Sequence, residues 1–339
     1  MKKEIARNHP ELKFAYSRPG FVTFKWQAQV GPDETKPFLL RSVFARAYGL
    51  CLGKAGADPS LLFERARQLP EPVCVHIFER DQHVPGDEPL GFEKGAWARG
   101  AADRIRGELA QQEGLKVRLN EEPKPGETVL DLIAVEEGEW WLGEHVHGAG
   151  HSPFPGGRPK IVTPSDAPSR AYLKLEEAIR WSGAALQAGE IAVEVGSAPG
   201  GASFALLARG LKVVGIDPAE MSPVVLSSSK FMHLRKPVAE VTREELPESV
   251  HWLLLDMNVL PAVSLYAVDR LVQMFPHSLQ GLLLTVKLNQ WKIADEIPGM
   301  LEHIRSMGQI IRVRATQLPN NRQEIFIYAV TRKGASLYK

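Results

Sequence analysis

The chain has 339 residues, is 44% hydrophobic and 24% charged, and carries a formal net charge of +1. That length predicts two domains of an ordinary soluble globular protein. The charge balance excludes nucleic-acid binding through the overall field, so any such contact must come from a local basic patch. Cys51 and Cys74 form neither a disulfide framework nor a zinc pattern, and are expected to be reduced, buried thiols of a cytoplasmic protein. The polar N-terminus has no apolar run long enough for a signal peptide or a membrane span. There is no internal repeat and no low-complexity tract.

In chain order, residues 13–16 and 21–26 predict two strands around the turn Arg18-Pro19-Gly20. Residues 41–52 predict a short helix or a strand, and 73–78 a strand. Residues 81–89 read as a loop. An amphipathic helix is predicted over 97–113, with Ala98, Ala102, Ile105 and Leu109 on one stripe and Arg99, Arg104 and Arg106 on the other face. Strands follow at 116–119 and 128–135, and Glu139-Trp140-Trp141-Leu142-Gly143 closes an α+β region over 1–150.

A linker is predicted over 151–168, inside a proline- and glycine-rich stretch without apolar periodicity. His145, His147 and His151 fall beside it. No cysteine or carboxylate pattern completes a metal site, and they read as solvated loop histidines.

A second domain is predicted over 169–339. Residues 171–181 read as a helix, and Ile191 to Val195 as a buried parallel strand. The strand breaks into Gly196-Ser197-Ala198-Pro199-Gly200-Gly201, and residues 202–210 read as a helix. Glycines let backbone approach a ligand, and a helix N-terminus offers free N–H groups. The spacing is not the G-x-G-x-x-G of a dinucleotide cradle. It resembles the first motif of class I methyltransferases, acidic-x-Gly-x-x-x-Gly, which holds the amino-acid end of S-adenosylmethionine. A strand over 213–216 then ends in Asp217, placed to accept from both ribose hydroxyls of such a ligand. Strands at 251–255 and 281–287, helices at 261–275 and 294–307, and a final antiparallel pair at 309–314 and 325–331 complete the pattern. Alternation of strands and helices predicts an α/β fold with a mostly parallel sheet.

Four ionisable residues interrupt the apolar runs of this half. Lys174 lies in the helix before the first strand, Asp256 and Lys287 end strands, and Glu324 opens the last one. Ligands of open α/β sheets bind beyond the carboxyl ends of the parallel strands, so Asp256 and Lys287 should face the crevice of the glycine turn and Asp217.

The tetrad Lys174, Asp256, Lys287 and Glu324 resembles that of the FtsJ-type ribose 2′-O-methyltransferases. The segment Ser169 to Ala178, the run Glu139 to Gly143 and the turn Arg18 to Phe21 resemble the RlmM family of bacterial 23S rRNA methyltransferases. The resemblance covers nearly the whole chain. It implies a class I, Rossmann-like methyltransferase domain behind an N-terminal α+β region with a THUMP-type RNA-binding module. It also implies S-adenosylmethionine as cofactor, held by Gly196, Ala198, Pro199, Gly200, Gly201, Asp217 and Asp256. The implied partner is 23S rRNA, methylated on a cytidine ribose of the peptidyl-transferase region before the large subunit is finished. Two positions depart from the family. Leu234-Arg235-Lys236-Pro237 lacks the family's aspartate near the adenine, and Ala171 replaces a serine.

For the chemistry, a 2′-OH is a poor nucleophile until its proton is removed or shared. Lys287 is expected to take that proton, with its pKa lowered by burial and by Lys174. Asp256 is expected to orient Lys287 and lie near the sulfonium, and Glu324 to hold Lys174. Arg41, Arg46, Arg99, Arg104, Arg106, Arg312, Arg314 and Arg322 are candidates for phosphate contacts. Two other readings use the same residues: methylation of a different RNA, and a non-catalytic assembly factor with a relic donor pocket.

Overall fold

The computed structural model describes residues 1–27, 38–56, 59–81, 96–112 and 114–337. The strands build separate sheets in two units, Met1–Pro159 and Lys160–Lys339, and the division falls within the proline- and glycine-rich stretch.

The first unit opens with a helix, α1 (Lys2–Asn8), which the sequence reading did not anticipate. Strands β1 (Leu12–Arg18) and β2 (Phe21–Trp26) follow as an antiparallel hairpin. Arg18 pairs with Phe21, so Pro19-Gly20 is the whole turn. Five more strands form a mixed sheet in the order β3-β7-β6-β4-β5: β3 (Leu50–Lys54), β4 (Val73–Glu79), β5 (Val117–Leu119), β6 (Thr128–Glu136) and β7 (Glu139–Val146). Alternate residues point to one face of a strand. Val73, Val75 and Ile77, Leu130, Leu132 and Ala134, and Trp140 and Leu142 therefore share one core. Leu62 of α2 (Ser60–Ala66) joins it, as do Ile105 and Leu109 of α3 (Ala96–Ala110).

Two expectations need correction here, and a third is not tested. Residues 41–48 have no regular structure, and the strand begins only at Leu50. Cys74 is buried but Cys51 is exposed, because β3 is an edge strand and Cys51 lies off its core face. The expected loop over 81–89 lies, after Asp81, outside the described residues.

The second unit has seven strands and their connecting helices. They run α4 (Ala171–Ser182), β8 (Ile191–Val195), α5 (Gly201–Ala208), β9 (Lys212–Ile216), α6 (Pro223–Leu226), β10 (Phe231–Leu234) and β11 (Trp252–Asp256). Then come α7 (Pro261–Met274), β12 (Gly281–Lys287), α8 (Ile297–Ser306), β13 (Ile310–Thr316), β14 (Glu324–Thr331) and α9 (Arg332–Ser336). The sheet order is β10-β9-β8-β11-β12-β14-β13. The first five are parallel, and β14 is antiparallel to both its neighbours. This is the expected α/β fold with a final antiparallel pair. Strands buried on both faces read as continuous apolar runs, as in Leu253–Leu255 and Leu282–Leu284. The strand order reverses between β8 and β11, and such a switch point opens a crevice beyond the carboxyl ends of the strands. Val195 and Asp256 end those two strands.

Candidate active site

Sheet register assembles the tetrad. Lys287 stands directly opposite Glu324 in the antiparallel pair β12–β14. On the other side Asp256 pairs with Thr285, two residues before Lys287, and period two turns Asp256 and Lys287 to the same side. Lys174 comes from the first turn of α4. The four side chains close a ring of alternating charge. Lys174 Nζ donates to Asp256 Oδ2 at 3.1 Å and lies 2.6 Å from Glu324 Oε1. Lys287 Nζ donates to Asp256 Oδ1 at 2.7 Å and to Glu324 Oε2. Each carboxylate thus bridges both ammoniums, whereas the sequence reading assigned Glu324 to Lys174 alone.

Electrostatics also differ from the expectation for Lys287. Burial is the largest single influence on its pKa and pushes it down. Asp256 and Glu324 together outweigh that, and the pKa is raised above its ordinary 10.5. One lysine neighbour cannot depress it while two carboxylates touch the ammonium. Glu324 is 5% exposed, and burial alone would raise its pKa, but Lys174 and Lys287 hold it below its usual value.

A further set of polar residues braces the ring. Glu177, one turn after Lys174, accepts from Asn320 N at 2.9 Å and from Asn320 Nδ2 at 2.7 Å. Asn321 Nδ2 donates to Glu324 Oε1 at 3.1 Å. These contacts tie the β13–β14 connection to α4. Glu176 pairs with Arg209 at the end of α5, with 2.7 Å between Oε2 and Nη2. Sequence reasoning missed these residues. Two adjacent glutamates in a helix otherwise flanked by apolar positions were the available signal.

The glycine turn is built by close packing. A Cβ on Gly196, whose φ is +77°, would stand 2.4 Å from the Asp256 carbonyl oxygen. A Cβ on Gly201 would stand 2.3 Å from Ser169 Oγ and 2.8 Å from Ser169 O. The turn therefore rests directly on the strand that ends in Asp256 and on the entry to the Lys174 helix. Ala198 N donates to Asp217 Oδ2 at 3.1 Å, and Ala219 N to Oδ1 at 2.8 Å. Pro199 and Gly200 lead into α5, and Gly200 occupies its N-cap position. Behind the turn, Ser203 donates to the fully buried Glu194 at 2.5 Å. Burial pushes the Glu194 carboxyl up to about 8, against the Ser203 hydrogen bond, and Asp256 and Asp217 add to the rise.

These residues fit the donor that the sequence implies. Each Asp217 oxygen uses one lone pair and keeps capacity for a hydroxyl, the side chain being half-buried. The first N–H groups of α5 have no intrahelical partner and suit a carboxylate. Pro237 brings no side-chain acceptor to the segment after β10.

The candidate arginines divide. Arg46 is ion-paired with Asp81, and Arg314 lies 4.3 Å over the Trp181 ring, so both are structural. Arg41 donates to Asn8 O at 2.6 Å. Arg104 and Arg106 pair along α3 with Glu108 at 3.6 Å and Asp103 at 2.6 Å, and the Arg99 side chain lies outside the described residues. Arg312 and Arg322 are exposed.

The histidines are not solvated. The His145 and His151 rings stack at 4.4 Å, and Tyr48 lies 4.3 Å from His151. His145 Nδ1 lies 2.6 Å from Asp131 Oδ2, and His76 Nδ1 3.7 Å from Oδ1. Strand pairing among β4, β6 and β7 brings His76, Asp131 and His145 together. Among the described residues no group of three or more His, Cys, Asp or Glu side chains could hold a metal ion, and no helix is long and apolar enough to cross a membrane.

The family model of the FtsJ-like methyltransferases matches residues 167–306. The ribosomal RNA large subunit methyltransferase M of Sodalis glossinidius is 30% identical over 235 residues, 66% of this chain and 62% of that protein. Its namesake in Pectobacterium atrosepticum is 30% identical over 223 residues, 63% and 59% of the two chains. In both cases the match spans less than two thirds of the relative's length. Residues 167–306 of the second unit are thus similar to the FtsJ-like methyltransferases.

Proposed function

We propose that the protein transfers a methyl group from S-adenosylmethionine to a ribose 2′-OH of 23S rRNA, a cytidine, before the large subunit is complete. The observation that carries this reading is the closed ring of Lys174, Asp256, Lys287 and Glu324 beside the switch point of the sheet. Residues 1–150 would retain the RNA through a THUMP-type module, 151–168 would link the two parts, and 169–339 would carry the chemistry, all in the cytoplasm.

The donor would be held by Gly196, Ala198, Pro199, Gly200 and Gly201 of the turn, by Asp217 at the ribose, and by Asp256. When bound, it supplies an electrophilic methyl group. Lys287 in its neutral form accepts the 2′-OH proton. At rest Lys287 is an ammonium, held so by Asp256 and Glu324. A cation brought to the crevice draws on Asp256, and that weakens the hold on the Lys287 proton. Lys174 competes for both carboxylates in the same direction and positions the hydroxyl. Glu324 keeps the two ammoniums in register with Asp256.

The test is transfer of labelled methyl from S-adenosylmethionine to protein-free 23S rRNA, with nuclease mapping of the product. Label on one ribose, lost in Lys287→Ala while donor binding persists, is the expected result. Label on a base, or on no RNA at all, would overturn the reading.

A further inference from the structure

Beyond the tetrad, the end of β12 carries a feature that the proposed transfer does not use. Four residues after Lys287 the chain enters a 3-10 turn, Trp291–Glu296. Ile293 is buried and anchors this turn, whereas Trp291 is 50% exposed. Four residues span at most about 14 Å, so the Trp291 backbone stays within that distance of Lys287. The indole makes no ring contact or hydrogen bond with a described residue. Two cations lie close to it along the chain or on the adjoining connection. Lys292 follows directly. Arg322 comes from the neighbouring connection, where Leu288 N donates to Gln323 O at 2.7 Å. Both are exposed, and neither forms an ion pair with a described residue.

We propose that Trp291 is a stacking platform for a base of single-stranded RNA adjoining the target nucleotide, with Lys292 and Arg322 on the flanking phosphates. The inference rests on the RNA ribose reading above. An exposed aromatic ring with one unpaired cation next in the chain and another on the adjoining connection suits single-stranded RNA, whose unstacked bases lie on aromatic rings while the backbone follows positive charge. The net charge of +1 leaves such contacts to local groups. An apolar protein partner would leave Lys292 and Arg322 desolvated without counter-charge.

The experiment compares wild type, Trp291→Ala and Trp291→Phe in the full chain. It measures kcat and KM for an rRNA fragment, donor affinity by calorimetry, and solution mass. Trp291→Ala should raise KM for RNA by about 5- to 150-fold, the worth of one stacked base. Its kcat and donor affinity should match wild type, and Trp291→Phe should recover most of the loss. An unchanged KM in Trp291→Ala overturns the platform while leaving the transfer reading intact. An unchanged KM with a drop in solution mass identifies a second copy as the occupant and likewise overturns it. A wild type that methylates no RNA overturns the transfer reading, and the platform with it.

Discussion

Lys287 and Glu324 face one another across an antiparallel strand pair, and Glu324 shares its other oxygen with Lys174. A base in this position begins as an ammonium with a raised pKa. The neutral form is the active one, so activity lies on the high-pH side. The rate under donor saturation should climb from pH 7 into the alkaline range. Glu324→Gln removes one charge that raises the pKa and should move the rising limb to lower pH. Lys287→Ala should cost about 10²- to 10⁴-fold in rate, the usual worth of a general base, with donor affinity unchanged. A pH-independent rate between 7 and 9 would rule out Lys287 as the base.

Gly201 joins the donor turn to the catalytic helix by contact alone. In Gly201→Ala the new methyl group would meet Ser169 Oγ at 2.3 Å, Ser169 O at 2.8 Å and Tyr172 N at 2.9 Å. The hydroxyl can rotate away, but the two backbone atoms belong to the entry of α4. Overpacking of this kind costs about 1–3 kcal/mol. Lys174 sits in the first turn of that helix, so activity should fall further than stability accounts for. Denaturant unfolding and methyl transfer on the same variant check this, and unchanged values in both would show that the turn and α4 are not coupled.

Glu194 behaves as a buried neutral acid. Its folded pKa of about 8 stands above its ordinary 4.5, so the folded state binds the extra proton between those values. Stability from this group is fully present below pH 4.5 and is lost as pH rises towards 8, at about 1.4 kcal/mol per pH unit. Glu194→Gln keeps the shape and an acceptor for Ser203 without titrating. Its unfolding midpoint should depend on pH less steeply than wild type from 5 to 8, with a growing advantage at the upper end. Parallel slopes for the two proteins would show that Glu194 is ionised in the fold.

The fold of the second unit was legible because its apolar runs end in charged residues at the crevice. Asp256 and Lys287 each close a strand and Asp217 directly follows one, and the tetrad follows from that punctuation plus the register of β12 against β14. The protonation state of Lys287 was not legible. It depends on how many carboxylates touch the ammonium, and sequence order does not give contacts. Glu176 and Glu177 were hidden for the same reason, because their partners Arg209 and Asn320 are 33 and 143 residues away. In the first unit, His145 and His151 sit in a glycine- and proline-rich neighbourhood that reads as solvent-facing. Pairing of β6 with β7 sets His145 beside Asp131, which sequence spacing of 14 did not suggest.

That histidine cluster has its own acid signature. Burial pushes His151 down to about 4, with His145 and His147 adding to the shift, and burial likewise lowers His147. The folded pKa lies below the ordinary 6.5, so stabilisation is fully present above pH 6.5 and is lost as pH falls towards 4. Imidazole titration by NMR should find His151 neutral at pH 5.5. His151→Phe keeps a ring between Tyr48 and His145 and removes one titrating group. Acid unfolding of that variant should begin at lower pH than in wild type. A His151 resonance that titrates near 6.5 would mean that the ring is solvated, as the sequence alone suggests.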